Sequence, residues 1–189
     1  MVFLNQLFQN VASILNLSKK GKNTSVILNY DKSSDNLFEW YQQLIGESLG
    51  KKSKGILPVI SSMPKDNHSL MQLYLDGPQN NFYTFFYSHE NKTDLIKNKN
   101  LLKSHNFLKN KKIENIINIQ KKATENVFKK KNIPFRSFEI FNRNEQAIGE
   151  IFCFFILETI LLGRALRVNP FDQPSIELIK KETKKILLR

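Results

Sequence analysis

Cysteine is nearly absent from this sequence, since Cys153 is the only one among 189 residues. A single thiol cannot form an internal disulfide, which excludes the disulfide-stapled secreted domains and favours a reducing cytoplasm. Cys153 lies in the apolar run of residues 151–157, so we expect its side chain to be buried and to serve packing. The sequence shows no grouping of Cys and His residues at metal-ligand spacing, and we predict no metal site.

Signals for secretion or membrane insertion are also missing. The first twenty residues are apolar, but they lack the early positive charge and the cleavage site of a signal peptide. Their apolar spacing is that of an amphipathic helix. Residues 147–162 form a second apolar stretch, which Glu150 and Glu158 interrupt before it is long enough to cross a bilayer. We therefore expect a buried core or interface helix there and no association with a membrane.

Acidic residues are outnumbered by basic ones, 17 against 29, which gives a net charge of +12. Such a balance is typical of proteins with a polyanionic partner, and the Lys-rich run of residues 97–131 could contact phosphates. That run lacks the interleaved aromatic residues of a single-strand binding platform. We therefore interpret it as a solvated helix surface and do not expect nucleic-acid binding.

The residues that are present are enough to build one folded domain with its own core. Hydrophobic residues make up 41% of the chain, and Phe alone contributes 15. Segments with helical periodicity alternate with short β-branched and aromatic runs at residues 24–30, 55–60, 81–87 and 135–141. This alternation predicts an α/β fold, a three-layer sandwich around a mostly parallel sheet.

Several helix starts can be predicted from their capping residues. Asn36, followed three residues later by Glu39, predicts a capping box at the start of the second helix. Asn142 or Asn144 is expected to open the long apolar helix, and Pro174 suits the first turn of the last helix. A short helix is expected to run from residue 68 to residue 76.

Three short motifs stand out within this framework. The first is Gln-x-x-x-Glu-Ser-x-Gly-Lys, filled by Gln43, Glu47, Ser48, Gly50 and Lys51. The second begins with a histidine before a short helix and comprises His68, Gln72, Leu73 and Gly77. The third lies near the C-terminus and comprises Asn169, Phe171, Asp172, Gln173, Glu177 and Lys180. An acid at a helix end and a histidine after a strand are the components of an α/β active site.

With these motifs in this order, the chain resembles the phosphoglucose isomerase (glucose-6-phosphate isomerase) family, over the C-terminal half of that family only. The resemblance implies a sugar-isomerase (SIS) domain of flavodoxin-like topology that occupies residues 1–189. Family members also carry an N-terminal domain with a phosphate-binding loop and a Gly-Gly-Arg segment. This chain contains no Gly-Gly pair, so we expect that phosphate-binding domain to be absent from it.

The resemblance also implies a role for each predicted site residue. Glu47 would be the base that moves a proton between two adjacent carbons of the sugar through a cis-enediol. His68, supplied by the neighbouring subunit of a homodimer, and Lys180 would assist ring opening. Gln43 and Gln173 would bind sugar hydroxyls or phosphate, and Gln43 lies one helical turn before Glu47 on the same face. Because the chemistry is acid–base only, no cofactor is expected.

The expected activity is the interconversion of glucose 6-phosphate and fructose 6-phosphate in glycolysis and gluconeogenesis. The phosphate loop and the arginine that would stabilise the enediolate are missing from the sequence, and such electrostatic stabilisation is often the largest catalytic contribution. We therefore expect little or no activity from this chain unless a second polypeptide supplies them. The alternative is a non-catalytic sugar-phosphate-binding module, although such a module would not need all of Glu47, His68 and Lys180.

Overall fold

Four parallel strands form one sheet in the computed structural model, which describes residues 2–89, 95–96 and 102–188. The strands are β1 (Thr24–Asn29), β2 (Leu57–Ser62), β3 (Asn81–Ser88) and β4 (Phe135–Ile140). Their order across the sheet is β2-β1-β3-β4, and each neighbouring pair is parallel. The predicted sheet is confirmed, and β2 and β4 are its edge strands.

Helices cover both faces of the sheet, which confirms the predicted three-layer α/β arrangement. They are α1 (Val2–Lys19), α2 (Asp35–Leu49), α3 (Met71–Asp76), α4 (Ile113–Lys130), α5 (Glu145–Leu166) and α6 (Pro174–Leu187). One core lies between the sheet and α1, α2 and α5, around Ile27 and Phe86. The other lies between the sheet and α3 and α4, around Leu28 and Phe85. No residue of α6 is buried.

The start of α2 differs from the predicted capping box. The helix begins at Asp35 with Ser34 as its N-cap, directly after a 3₁₀ turn. Asp31 caps that turn, because its Oδ1 accepts from the backbone N–H of Ser33 at 3.2 Å and its Oδ2 from the Ser34 hydroxyl at 2.5 Å. The prediction that Asn36 and Glu39 form the cap is therefore wrong, since the chain is already helical at Asn36.

The helix expected to begin at residue 68 begins three residues later. A 3₁₀ turn occupies Lys65–Asn67, and His68 is its C-cap, with its backbone N–H donating to the carbonyl of Lys65 at 3.2 Å. Asp66 stabilises this turn by accepting from the backbone N–H of Ser62 at 2.8 Å and from the Ser69 hydroxyl at 3.0 Å. Regular α-helix therefore begins only at Met71.

The apolar helix α5 is a core helix. Of the two predicted caps, Asn142 and Asn144, it is Asn144 that caps the helix, with Oδ1 accepting from the Ala147 N–H at 2.8 Å. By length and composition α5 is the one helix within the described residues that could cross a membrane. It packs against α1 and α2 and carries the fully buried Glu158. The expectation that Cys153 is buried is wrong, because α5 turns Phe154 and Phe155 to the core and Cys153 to the outside.

Part of the Lys-rich run, residues 97–101, lies outside the described residues. Most of the remainder forms α4, which buries Phe128 in the core. Lys121 departs from the expected solvated surface, since its side chain is fully buried and Nζ lies 2.8 Å from Glu125 and 2.7 Å from Glu139. Lys131 pairs with Asp76 at 2.6 Å. Some of the positive charge of this run is therefore neutralised within the protein.

Candidate active site

The last turns of α2 carry the acid that the sequence predicts as the base. Gln43 lies one helical turn before Glu47, and its Nε2 donates to Glu47 Oε1 at 3.0 Å. The backbone N–H of Gly50 donates to the carbonyl of Gly46, where the helix ends. A Cβ at Gly50 would lie 2.8 Å from that carbonyl oxygen, so a side chain there would force the turn to shift. Glycine at this position of the motif therefore suits the chain reversal that follows Glu47.

Gln173 reaches the same carboxylate from a distant part of the chain. It immediately precedes α6, and its Nε2 donates to Glu47 Oε2. Each carboxylate oxygen of the half-buried Glu47 thus accepts a hydrogen bond from a different glutamine. The structure therefore brings Gln43, Glu47 and Gln173 into one hydrogen-bonded group, which fixes the orientation of the carboxylate.

Two adjoining clefts open beside this group. One, of about 180 Å³, has Glu47 and Gln173 in its wall. The other, of about 580 Å³, is lined by the turn of residues 51–54 and by Asp172. The residues that line both clefts are Gly50, Lys51, Pro174 and Ser175. A separate cleft of about 340 Å³ between α1 and the amino ends of β3 and β4 contains none of the predicted site residues.

Lys51 and Asp172 form an ion pair between the two segments that supply Glu47 and Gln173. Lys51 Nζ lies 3.1 Å from Asp172 Oδ1. The hydrogen bond from Lys51 lowers the pKa of Asp172 below its ordinary value. The sequence marked both residues as members of motifs but gave neither a function. Their positions in the sequence could have suggested the pair, because Lys51 follows Glu47 by four residues and Asp172 directly precedes Gln173.

Lys180 is two helical turns beyond Gln173 on the exposed helix α6. Its Nζ donates to Glu177 Oε1 at 2.8 Å, and both side chains are more than half exposed. The hydrogen bond to Glu177 raises the pKa of Lys180 above its ordinary value. Among the described residues, no hydrogen bond joins Lys180 to Gln43, Glu47 or Gln173. The role predicted for this lysine stays a prediction.

His68 and Glu47 lie beside opposite ends of strand β2. Gln42, in the middle of α2, donates to the carbonyl of Pro58 at 3.1 Å, so the half of α2 that carries Glu47 begins beside the amino end of β2. His68 is exposed and follows the carboxyl end of β2. The six residues of β2 span roughly 17 Å between these two ends of the strand. One chain therefore does not bring His68 to Glu47, and its supply by a neighbouring subunit stays a prediction.

The other histidines lie apart from the Glu47 group, in agreement with the lack of a motif around them. His89 Nε2 lies 3.0 Å from Glu139 Oε2, and its ring stacks on Phe141. His105 Nδ1 lies 3.3 Å from the hydroxyl of Ser104. Within residues 2–89, 95–96 and 102–188, no group of three His, Cys, Asp or Glu side chains is arranged to hold a metal ion.

Sequence comparison relates the chain to enzymes named glucose-6-phosphate isomerase. It is 34% identical over 169 residues to that of Methanocaldococcus jannaschii, covering 86% of this chain and 40% of the relative. It is 34% identical over 179 residues to that of Clostridium tetani, covering 94% of this chain and again 40% of the relative. The chain thus spans about two fifths of the length of these curated relatives. No family model matches the sequence.

Solved structures show the same fold. A hypothetical protein from Thermus thermophilus superposes with a TM-score of 0.84 at 25% identity, covering 93% of this chain and 44% of that protein. A glucose-6-phosphate isomerase from Chlamydia trachomatis superposes with a TM-score of 0.69 at 15% identity, covering 88% of this chain and 35% of that enzyme. At 15% identity the likeness to the second protein concerns the fold alone.

Proposed function

Because the chain belongs to the glucose-6-phosphate isomerase family over about two fifths of its relatives' length, we propose that it supplies the proton-transfer base of an aldose–ketose isomerase. The proposed reaction interconverts glucose 6-phosphate and fructose 6-phosphate. The observation that carries the proposal is the Glu47 carboxylate, whose two oxygens accept from Gln43 and Gln173 at the wall of a cleft. A carboxylate held in one orientation is suited to serve two adjacent carbons of a bound sugar.

The proposed chemistry follows from the exchange of a carbonyl between neighbouring carbons. Glu47 takes the proton from carbon 2 of the open-chain aldose while the oxygen on carbon 1 gains a proton, and a cis-enediol forms. Glu47 then gives a proton to carbon 1 while the hydroxyl on carbon 2 loses its proton and becomes the ketone. Oxidation of carbon 2 is balanced by reduction of carbon 1, so the proposal includes no cofactor.

Ring opening is proposed to use His68 and Lys180, with His68 from the second subunit of a homodimer. A histidine has a suitable ordinary pKa for moving a proton between a hydroxyl and the ring oxygen. Glu47 and His68 of one chain lie beside opposite ends of β2, and this separation supports a site that combines residues of two subunits. Two copies related by a twofold axis would each present His68 to the Glu47 of the other.

We propose that residues 1–189 form one sugar-isomerase domain equivalent to the C-terminal half of the family. The phosphate-binding loop and the arginine that stabilises the enediolate would then come from a further domain or polypeptide. The assembled enzyme would be cytoplasmic. This chain by itself is expected to show little or no turnover, because electrostatic stabilisation of the enediolate is a large part of the catalysis.

The assignment of Glu47 can be tested in a complete enzyme. In a chimera, this chain replaces the matching segment of the Methanocaldococcus jannaschii relative, and turnover of fructose 6-phosphate is followed with a coupled assay. Glu47→Gln is expected to lower kcat by about 10²- to 10⁴-fold, the usual contribution of a general base. Glu39→Gln is the matched control, because Glu39 is an exposed acid on the same helix.

The outcomes separate the two candidate functions. Normal turnover in the Glu47→Gln chimera would show that another group is the base. A chimera that binds fructose 6-phosphate in calorimetry but neither converts it nor exchanges its carbon-bound hydrogen with solvent would favour the non-catalytic binding module. Low turnover confined to Glu47→Gln, with Glu39→Gln unaffected, is the result that the proposal predicts.

A further inference from the structure

The ammonium group of Lys51 is almost fully enclosed and has three partners. Its side chain is only 9% exposed. Nζ donates to the carbonyl of Ser48 at 3.1 Å and to the carbonyl of Asn169 at 2.5 Å, and it lies 3.1 Å from Asp172 Oδ1. These three acceptors match the three N–H donors of a lysine. A charge enclosed in this way stays stable only while its partners remain in place.

The partners of Lys51 belong to the two segments that form the Glu47 group. Ser48 follows Glu47 in α2, and Asp172 precedes Gln173 in the loop before α6. Two links therefore run side by side between these segments, the Glu47–Gln173 hydrogen bond and the contacts of Lys51. The first link faces the smaller cleft, and the second borders the larger one.

The loop of residues 167–173 matters because α6 has little else to position it. No residue of α6 is buried, and apolar side chains such as Ile179 and Ile186 are about two thirds exposed. The orientation of α6 therefore depends on its first turn, where Pro174 follows directly after Asp172 and Gln173. A displacement of this anchor would move Lys180, which lies on the same helix.

We propose that Lys51 is a positioning residue, which holds the loop before α6 against the end of α2. This contact allows Gln173 to hydrogen-bond to Glu47 and fixes the orientation of α6 relative to the core. That this placement serves catalysis rests on the proposed function, through Glu47 and Lys180. The placement itself is a property of this chain and can be measured without activity. Sequence motifs alone do not indicate it, because they leave open which segments the lysine joins.

The proposal can be tested by the distance between two spin labels on the 189-residue chain. Cys153 is exposed on α5 and is the natural site for one nitroxide, and Lys181→Cys provides the other on α6. Double electron–electron resonance then reports the distribution of distances between the core and α6. Lys51→Met, which keeps an unbranched side chain one atom shorter but removes the charge and the donors, is expected to broaden this distribution about twofold or more.

Two further variants make the result specific. Lys51→Arg keeps the charge and several donors but has a larger, planar head group, and it is expected to broaden the distribution less than Lys51→Met does. Lys52→Met is the matched control, because Lys52 is an exposed lysine in the same turn, and no broadening is expected. Equal distributions for Lys51→Met and Lys52→Met would overturn the proposal.

A separate variant covers the case in which Lys51→Met does not fold. Asp172→Asn removes the charge of the partner, whose side chain is 52% exposed, and it is also expected to broaden the distribution. A narrow distribution in Asp172→Asn would equally contradict the proposed role of Lys51. Neither result depends on turnover, so failure of this inference is distinguishable from failure of Glu47 as the base.

Discussion

Two glutamates in different surroundings differ in the roles that we assign to them, since Glu47 is the proposed base and Glu158 lies in the core. Glu47 is half-buried at a cleft, and amide groups hold its oxygens. Glu158 is fully buried on α5, and the guanidinium of Arg136 on β4 contacts both of its oxygens. Burial alone would lower the pKa of Arg136, but the charge and hydrogen bonds of Glu158 raise it above its ordinary value. Glu158 is therefore a stability residue.

The prediction for Glu158 is a large loss of stability. Glu158→Ala leaves the guanidinium of Arg136 without its counter-charge, and we expect the free energy of unfolding to fall by about 3–5 kcal/mol. Urea denaturation of the 189-residue chain, followed by circular dichroism, measures this change. Glu150→Ala, at an exposed acid on the same helix, is the control and should change the free energy by less than about 0.5 kcal/mol. Equal midpoints for the two variants would contradict this assignment.

At this scale the sequence indicates residue types better than partners. The motifs predict that Gln43, Glu47 and Gln173 belong to one site, but only the spacing of Gln43 and Glu47 on one helix predicts a contact. Gln173 meets Glu47 across 126 positions of the chain, a distance that no local pattern encodes. In the sequence, Glu158 is recognisable only as a charge that interrupts the apolar stretch of residues 147–162. No sequence pattern indicates that Arg136 is its partner.

At the scale of elements, the existence of the strands and major helices follows from periodicity, whereas some boundaries do not. Of the two predicted caps, Asn144 and not Asn142 opens α5, because its side-chain Oδ1 accepts from the backbone N–H of Ala147. The start of α2 is decided by Asp31, whose carboxylate organises a 3₁₀ turn that the helical pattern does not reveal. Cys153 is exposed because the apolar residues 151–157 go around more of the helix than the face of α5 that packs on the core.

Helix α6 gives the prediction that belongs to this scale. It contributes no buried side chain, so a chain that ends after Gln173 should keep the stability of the sandwich. We expect the free energy of unfolding of residues 1–173 to lie within about 1 kcal/mol of that of the full 189 residues. Urea denaturation of both chains compares them. Loss of a cooperative transition in the shorter chain would show that α6 belongs to the core.

At the scale of the whole molecule, the sheet separates the predicted base from the predicted histidine. The amino end of β2 lies beside α2, and its carboxyl end leads to His68. The sequence predicts a strand between Glu47 and His68, and the motifs place both residues in one site. The pattern does not show that the two residues lie beside opposite ends of that strand. The division of the site between two subunits is therefore a prediction about assembly.

Subunit mixing tests that division. In the chimera, Glu47→Gln and His68→Gln should each be nearly inactive as separate homodimers. A one-to-one mixture that exchanges subunits should recover about a quarter of the parent activity, because half of the dimers are mixed and each of these has one intact site. Recovery is measured in the coupled assay after exchange. If exchange is shown by mass spectrometry and no activity returns, His68 does not act across the interface.

The central claim is that the Glu47 carboxylate carries the hydrogen between two carbons of the sugar. It is tested most directly by incubating fructose 6-phosphate with the chimera in heavy water and following deuterium at carbon 1 by proton NMR. We predict that the parent chimera and Glu39→Gln incorporate deuterium at similar rates, whereas Glu47→Gln binds the sugar and incorporates deuterium at least about 10²-fold more slowly. Deuterium incorporation by Glu47→Gln at the parent rate would contradict the claim.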